Sequence, residues 1–231
     1  MSTFLQLCQK VSRESGTVSG TLPTTVASQT GRLGKIVYWV QQAWLDIQNS
    51  RSAWRWMEGE WSGSLTASTA RYTSSSFSLS RFSEWIVDTK PGDQVTSIYL
   101  TATGVSDENG LDTISFRDWR RLYDRGSQTN NRPFEYAVSP ANELCFGPIP
   151  NATYTAQGLY RKGPQSLSAD ADTPELPTRF HDLIAWKALI LLAEHDEGEI
   201  ALATALRKHR EMMSDLERDQ LPTVTTAGAL A

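Results

Sequence analysis

The sequence predicts an α+β protein: terminal helices form one helical bundle, an antiparallel β-sheet or sandwich lobe is inserted between them, and an extended C-terminal tail follows. Apolar residues recur at steps of three and four toward both ends of the chain, which is typical of helices with one buried face. Between residues 54 and 163 the period changes to two and turn signals separate the segments, as in a sheet. The predicted domains are 1–53 (N-terminal helices of the bundle), 54–165 (inserted β lobe), 166–220 (C-terminal helices of the bundle) and 221–231 (extended tail).

Two helices are predicted before the β lobe. The first lies within residues 2–15, and the second spans about 32–49. Their apolar stripes consist of Phe4, Leu5, Cys8 and Val11 in the first helix and Leu33, Ile36, Val37, Val40, Trp44 and Ile47 in the second. Stripes of this kind have to be buried, so we expect both helices to pack on other elements of the bundle.

Segments of alternating character predict the strands of the lobe. They are SLTASTARYT, QVTSIYLTAT, FEYAVS, ELCFGP and ATYTAQGLYRKG, all rich in residues that favour strands. One interruption, Phe116 to Tyr123, has the sequence FRDWRRLY and is predicted as a helical turn rather than a strand.

The most apolar stretch of the chain follows a short acidic loop that contains Pro174 and Pro177. Thr178 is predicted as the N-cap of a helix that runs to about His195, and Gly198 is predicted to break or kink the helix. A second helical pattern then comprises Ala201, Leu202, Ala205, Leu206, His209, Met212, Met213 and Leu216. A helix that is hydrophobic nearly all round needs cover, so we expect LIAWKALILLA to pack on the second N-terminal helix.

Composition excludes several classes of function. The formal net charge of -4 and the pI near 5.4 provide no overall basic field for binding nucleic acid. The apolar run 183–193 contains Lys187 and is too short to span a bilayer. Cys8 and Cys145 have no paired spacing, which indicates neither a disulfide framework nor a zinc site. We expect a soluble, unprocessed protein made in a reducing cytosol, without membrane association.

No catalytic, cofactor or metal site is predicted. The three histidines, at positions 181, 195 and 209, are spaced by about 21 Å along a continuous helix and cannot share a metal ion. None lies in the β region to act as a base for a nucleophile. Asp170 and Asp172 have oxygens that suit calcium, but an acidic turn before a helix N-terminus is the simpler interpretation. The glycines form neither a phosphate loop nor a dinucleotide fingerprint.

The predicted helical turn interleaves arginines with aromatic residues. These residue types pair with phosphates and stack on bases, but Asp118 and Asp124 dilute the positive charge, and protein interfaces are enriched in the same types. We favour a protein interface over nucleic acid. The interface candidates are Arg117, Trp119, Arg120, Arg121 and Tyr123.

The segment WRWMEGEW leaves two alternatives open. If Trp54, Trp56 and Trp61 were exposed, they would suit sugar rings, and the protein would be a carbohydrate-binding β-sandwich module of a phage tail or of a cell-wall-associated protein. Large aromatic side chains more commonly fill the junction of two domains. A glycosidase would need two facing carboxylates, for which Glu58 and Glu60 are the nearest candidates, about 7 Å apart on one strand face.

The layout and several phrases of the chain resemble the head-to-tail adaptor proteins of tailed bacteriophages, also called tail accessory or head-completion proteins. The matching pieces are an amphipathic helix running into RSAWRWM, the stretch RPFEYAVSPANELCFGPIPNATYTAQGLYRKGPQSL with its Pro-x-Pro turn, and DTPELPTRFHDLIAWKALILLAE. Together they cover roughly residues 33–195. The Arg-rich segment and the tail lie outside what matches closely.

The resemblance implies a structural virion protein at the head-tail junction, synthesised in the host cytoplasm. It implies a homo-oligomeric ring, twelve-membered, between a dodecameric portal and the tail. Its partners would be the portal protein and a tail, nozzle or tail-fibre protein. Genomic DNA would pass through the lumen without sequence-specific binding, and no catalysis or cofactor is implied.

The tail is predicted to bind the portal. It carries no charge and is rich in Thr, Val and Ala, so it can lie extended in a groove or add to a sheet edge of a partner. The partner-binding candidates are Leu221, Pro222, Thr223, Val224, Thr225, Thr226 and Leu230.

Overall fold

A computed structural model describes residues 1–16, 22–88, 93–196 and 199–222, and it confirms the mixed α and β composition. The helices are α1 (Phe4–Glu14), α2 (Gly31–Asn49), α3 (Phe116–Tyr123), α4 (His181–Asp196) and α5 (Glu199–Gln220). The strands are β1 (Glu58–Leu65), β2 (Arg71–Tyr72), β3 (Phe82–Ile86), β4 (Ser97–Leu100), β5 (Asn109–Gly110), β6 (Asp112–Thr113), β7 (Glu135–Val138), β8 (Leu144–Gly147) and β9 (Tyr154–Lys162). Contacts between Cα atoms divide the chain into a helical unit, 1–57 with 164–231, and a β unit, 58–163.

The helical unit is built around α4. Its apolar side chains occur on every side of the helix, so it needs neighbours all round, and it packs against α1, α2 and α5. The predicted packing of the apolar C-terminal helix on the second N-terminal helix is therefore present. Leu183, Ile184 and Ala185 are completely buried in one core with Phe4 of α1 and Trp44 of α2.

The acidic loop before α4 ties distant parts of the helical unit together. The carboxylate of Asp170 accepts hydrogen bonds from the backbone N–H of Val26 at 2.6 Å and from the hydroxyl of Thr25 at 3.2 Å. The carbonyl oxygen of Asp172 accepts from the N–H of Phe4 at 2.7 Å, in the first turn of α1, where N–H groups have no partner inside the helix. The loop therefore serves as a structural clamp.

The predicted N-cap of α4 is wrong. A short 3-10 turn occupies Thr178–Phe180 before the α-helix begins at His181, and Pro177 precedes that turn without a side-chain cap. The turn brings His181 into the core, where it is 1% exposed. Its Nε2 lies 3.1 Å from the carbonyl oxygen of Leu176, and its Nδ1 accepts from the N–H of Ser2 at 3.1 Å. The histidine thus fixes the approach to the helix. None of the helices in the described parts of the chain is long and apolar enough to cross a membrane.

Strand β9 is the centre of the first sheet, sheet A. It pairs with β1 along Glu58–Leu65 on one side. On its other side β4 pairs with the first half of β9 and β3 with the second half, and β5 extends the sheet from β4. Strand β3 is not among the predicted segments, and β1 overlaps the predicted segment 64–73 only at residues 64 and 65.

The second sheet, sheet B, runs in the order β2-β8-β7-β6. The predicted lobe was wholly antiparallel, but β6 pairs with β7 in parallel. The difference arises because α3 lies between the two strands in sequence, and a helical crossover allows parallel neighbours where a tight hairpin does not.

Side-chain alternation gives each sheet an inner and an outer face. Tyr136 and Phe146 of sheet B share a core with Trp61, Ile98 and other residues of sheet A. The residues next to them in sequence, Ala137 and Cys145, belong to a separate cluster with Trp119 of α3. Since successive strand residues point to opposite faces, α3 covers the outer side of sheet B, and the outer side of sheet A lies at the opposite side of the unit.

Candidate interaction surfaces

Helix α3 is short but firmly held. Ser115 caps its N-terminus by accepting a hydrogen bond from the N–H of Asp118 at 3.1 Å, a stabilising arrangement for an isolated two-turn helix. Trp119 is completely buried between α3 and sheet B, and its ring stacks on Phe116 with centroids 5.9 Å apart. The position of the helix is thus set by burial of one aromatic face.

Arg71, on β2, clamps the other end of α3. Its guanidinium donates to both carboxylate oxygens of Asp124 at 3.0 Å and lies 5.2 Å from the ring centre of Trp119. The hydrogen bond to Asp124 raises the pKa of Arg71 above its ordinary value, as expected when a charged form is bound. Inspection of the sequence did not identify Arg71, because its partners lie about fifty residues away and no local pattern joins them.

Tyr123 also holds α3 in place. Its hydroxyl donates to a carboxylate oxygen of Glu135 at 2.8 Å, and burial followed by this carboxylate raises the pKa of Tyr123. Gly147 makes the approach possible, since a Cβ there would lie 2.3 Å from the tyrosine ring. Of the predicted interface residues, Trp119 and Tyr123 are therefore turned toward the sheet.

The remaining predicted interface residues face solvent. Arg117, Arg120 and Arg121 are exposed. Arg120 pairs with Asp124 at 3.4 Å and Arg121 with Asp118 at 3.1 Å, whereas Arg117 forms no ion pair with any residue that the structure describes. We define the cationic ridge as Arg117, Arg120, Arg121, Leu122 and Arg125, all exposed.

A shallow depression lies on the outer face of sheet A. It is lined in part by Glu60, Val95, Ser97, Gln157 and Leu159. Glu108 stands beside it, because its carboxylate accepts hydrogen bonds from the side chains of two lining residues, Ser97 and Gln157, each at 2.5 Å. These six residues are called the acidic depression below.

The tryptophans do not form a sugar-binding platform. All eight tryptophans lie within the described residues, and none is exposed. Trp54 stacks on Trp56 at 4.4 Å in the helical unit, while Trp61 stacks on Phe77 at 4.7 Å in the β unit. The exposed, coplanar tryptophans expected of a carbohydrate-binding module are therefore not found.

The carboxylates considered for catalysis, Glu58 and Glu60, both belong to β1 and share one face of it. Glu60 is exposed on the open face of β1, whereas a glycosidase acid usually lies in an apolar pocket. Across the described ranges, no group of three or more His, Cys, Asp or Glu side chains is arranged to hold a metal ion. Cys8 and Cys145 are free and buried, and burial raises the pKa of each thiol to about 12, which makes both unreactive near neutral pH.

Most of the predicted portal-binding tail lies outside the described residues: Thr223, Val224, Thr225, Thr226 and Leu230. Leu221 is half-buried and packs on the core of the helical unit, and its N–H donates to the carbonyl oxygen of Glu217 at 3.0 Å. Pro222 is exposed. Leu221 thus continues the backbone hydrogen-bond pattern one residue beyond Gln220, the last residue of α5.

A model of one protein family matches almost the whole chain. The family is described as SU10 adaptor protein, and the match covers residues 2–229. A search of curated proteins found no significant match.

Proposed function

The chain belongs to the SU10 adaptor protein family, and from this premise we propose that it joins the portal of a phage head to the tail as a ring of identical subunits. The ring is twelve-membered, matching a dodecameric portal, and closed cyclic symmetry allows one kind of subunit contact to complete it. Its place in the virion is the head-tail junction. The portal lies on one side of the ring and a tail, nozzle or tail-fibre protein on the other.

The family match over residues 2–229 is the observation that carries this proposal. The chemistry of the molecule agrees with a mechanical role. The buried histidine, the buried thiols and the acidic loop all support packing. Catalysis is not needed to explain any of these groups.

The net charge of -4 supports passage of DNA through the ring. A protein that neutralises phosphates with many Lys and Arg side chains binds DNA tightly and releases counterions. A ring of acidic subunits has little affinity of this kind, so DNA slides through the lumen instead of being held. The positive charge of the cationic ridge is confined to one segment of the β unit.

Assembly is expected to depend on the portal. We expect the isolated protein to be monomeric or weakly associated, and to form rings when the portal supplies many neighbouring sites, because a template raises the effective concentration of each subunit for the next. Mass photometry of the adaptor, alone and mixed with the portal of the same phage, measures this directly. An adaptor that never associates with that portal contradicts the proposed function, whereas a ring formed without portal contradicts only the order of assembly.

The tail is the proposed portal-binding arm. Because Leu221 packs on the helical core, the truncation should begin after Pro222, so that residues 223–231 are removed and the end of α5 is kept. We expect the thermal unfolding temperature to stay unchanged and co-sedimentation with portal to be lost. A matched control replaces residues 223–231 by a Gly/Ser segment of equal length. If either variant binds portal as tightly as the intact chain, the arm is not needed for binding.

A further inference from the structure

We propose that the β unit contacts a second copy of this chain head to tail, with the cationic ridge of one copy docked on the acidic depression of the next. This inference rests on the proposed ring and specifies one of its subunit contacts. It assigns a partner to two surfaces of the β unit that its own packing leaves exposed.

The two surfaces have the geometry that a ring contact requires. A ring is generated by heterologous contacts, in which two different patches of one subunit meet on neighbouring subunits. Four of the five ridge residues belong to α3, on the outer side of sheet B, and Arg125 follows just after the C-cap of that helix. The depression belongs to the outer side of sheet A. The shared core of the two sheets lies between them, so the patches face in opposite directions and the contact can be repeated from copy to copy.

The charges of the two surfaces are complementary. On the ridge, Arg117 and Arg125 are exposed and form no ion pair with a described residue. At the depression, Glu60 and Glu108 are exposed and have no cationic partner among the residues that the structure describes. Charge complementarity between patches steers association and fixes the register of an interface.

The apolar groups of the two surfaces are complementary as well. Leu122 is 45% exposed on the ridge, next to the arginines. The depression contains Leu159 and Val95, both half-buried. A leucine that enters a shallow apolar hollow surrounded by ion pairs has the arrangement of an interface with an apolar centre and a polar rim.

Both surfaces are held in position by contacts within the unit. Arg71, Trp119 and Tyr123 fix α3 on sheet B. Ser97 and Gln157 fix the carboxylate of Glu108. Surfaces ordered in advance lose less conformational entropy when they bind, so even a contact of modest area contributes usefully to a ring that a portal templates.

A protein partner fits the ridge better than nucleic acid does. Nonspecific binding of single strands relies on aromatic side chains that stack on bases, and the aromatic residues of α3 are turned toward sheet B. Arg120 and Arg121 are already paired with carboxylates of the same segment. The ridge therefore offers few unpaired cations to the phosphates of a nucleic acid, whereas its fixed shape suits a protein partner.

Charge reversal tests the contact. The ridge variant carries Arg117→Glu with Arg125→Glu, and the depression variant carries Glu60→Lys with Glu108→Lys. We expect the adaptor concentration needed to fill the portal to rise at least about tenfold for each variant, because like charges then face each other across the contact. An equimolar mixture of the two variants should recover ring formation, since copies alternating around the ring bring opposite charges together at every contact. Mass photometry of portal complexes gives the readout.

Controls separate this inference from the proposed function. Arg13→Glu with Lys35→Glu changes the net charge as much as the ridge variant does, at exposed positions of the helical unit, and should leave ring formation unchanged. Recovery in the mixture also shows that both variants are folded. If the wild-type chain fills the portal and both variants do so equally well, or if the mixture fails to recover, the inference is overturned while the adaptor role stands. Loss of binding to a labelled DNA duplex by the ridge variant, with rings intact, would overturn it in favour of nucleic acid.

Discussion

Both units use ion pairs between segments that are distant in sequence, and the β unit also carries, on its two outer faces, charges that are unpaired among the described residues. In the helical unit, ion pairs join segments distant in sequence: Lys10 with Asp182 at 2.6 Å, and Arg51 with Glu217 at 2.7 Å. In the β unit, Arg117 and Glu108 are exposed without an opposite charge in reach among the described residues. Long-range ion pairs also hold the β unit together, as between Arg132 and Asp107 at 2.8 Å and between Arg161 and Glu84 at 2.8 Å. The charges that stay unpaired among its described residues are therefore additional to those that its fold uses.

The two cores differ as well. The core of the helical unit is largely aliphatic, with Leu183, Ile184 and Val40 completely buried. The core of the β unit is largely aromatic, and two of its tyrosines bond to loops: Tyr72 to Thr66 and Thr69, and Tyr154 to Asn151. Aromatic residues fill the space between two short-stranded sheets efficiently because each buries a large area, and a tyrosine at the edge of the core also orders a turn.

The largest expected effects on stability come from truncating one core residue in each unit, which tests whether the two units unfold independently. Trp61→Ala in the β unit should cost about 3–5 kcal/mol and Ile184→Ala in the helical unit about 2–5 kcal/mol. Each unit has one buried cysteine, Cys145 and Cys8 respectively, so thiol labelling in urea, located by mass spectrometry, reports on each unit. We expect Trp61→Ala to expose Cys145 at lower urea than Cys8, and Ile184→Ala to do the reverse. Simultaneous labelling in both variants would show that the units unfold as one.

The next effect tests the clamp formed by the acidic loop of the helical unit. Asp170→Ala leaves the N–H of Val26 without the carboxylate that accepts it at 2.6 Å, and a lost hydrogen bond to a charged group should destabilise the helical unit by about 1.5–3 kcal/mol. Asp182→Ala is the control, since it removes only the partly exposed ion pair with Lys10 and should cost about 0–1 kcal/mol. Urea unfolding followed by circular dichroism compares them. Equal losses would mean that Asp170 is no more than a surface charge.

Acid should weaken both units, each through its own aspartate. Hydrogen bonds from the N–H groups of Ala169 and Ser168 lower the pKa of Asp172, and the guanidinium of Arg132, with the N–H of Leu100, lowers the pKa of Asp107. Because the pKa of each carboxyl is lowered in the folded state, the ionised carboxylate stabilises the fold at pH values above the ordinary pKa of 3.8. This stabilisation is lost as the pH falls through the folded-state pKa.

Single replacements assign this acid sensitivity to a unit. With Asp172→Asn the helical unit should change less in stability between about pH 5 and pH 2 than in the wild-type chain, and with Asp107→Asn the same should hold for the β unit. Circular dichroism at 222 nm follows the helices, and second-derivative tyrosine absorbance follows the β unit, which contains six of the seven tyrosines. An Asp107→Asn variant that changes only the helical signal would contradict the assignment.

The smallest expected effects on stability come from removing one exposed ion pair in each unit. Arg207→Ala removes an exposed pair with Glu211 in α5, and Arg121→Ala removes an exposed pair with Asp118 in α3. Each should cost at most about 0.5 kcal/mol. On the portal, however, Arg121→Ala should weaken ring formation while Arg207→Ala does not, because only Arg121 belongs to the cationic ridge. Equal assembly of both variants would remove Arg121 from the proposed contact.

Sequence patterns predicted much of the fold. The helices at 31–49 and 116–123 and most of the longer strands lie close to the predicted segments, since periodicity is a local property that follows from which side of an element is buried. Strand β3 was missed: in FSEWI only Trp85 is buried, and one buried residue in five does not make an alternating pattern. The N-cap of α4 was misplaced because an extra 3-10 turn, which local signals do not reveal, precedes the helix.

The sequence predicted the cationic ridge in part and did not predict the acidic depression. The arginines of α3 were identified from their composition, but nothing local indicates that Trp119 and Tyr123 point toward the sheet. Glu60 was considered only as a catalytic group, and Glu108 was not among the candidate site residues. Their position beside one depression depends on the pairing of β1 and β4 with the two sides of β9.

The sequence by itself determined the class of the fold, the approximate limits of the helices and strands, and the resemblance to phage adaptors, because these depend on spacing along the chain. The tertiary structure alone decided which charges pair and which stay available. Arg71 and Asp124 meet at 3.0 Å across more than fifty residues, and the outer faces of sheets A and B acquire opposite character only after strands from the whole β unit have assembled. Contacts of this kind depend on the path of the chain in space, which no local periodicity specifies.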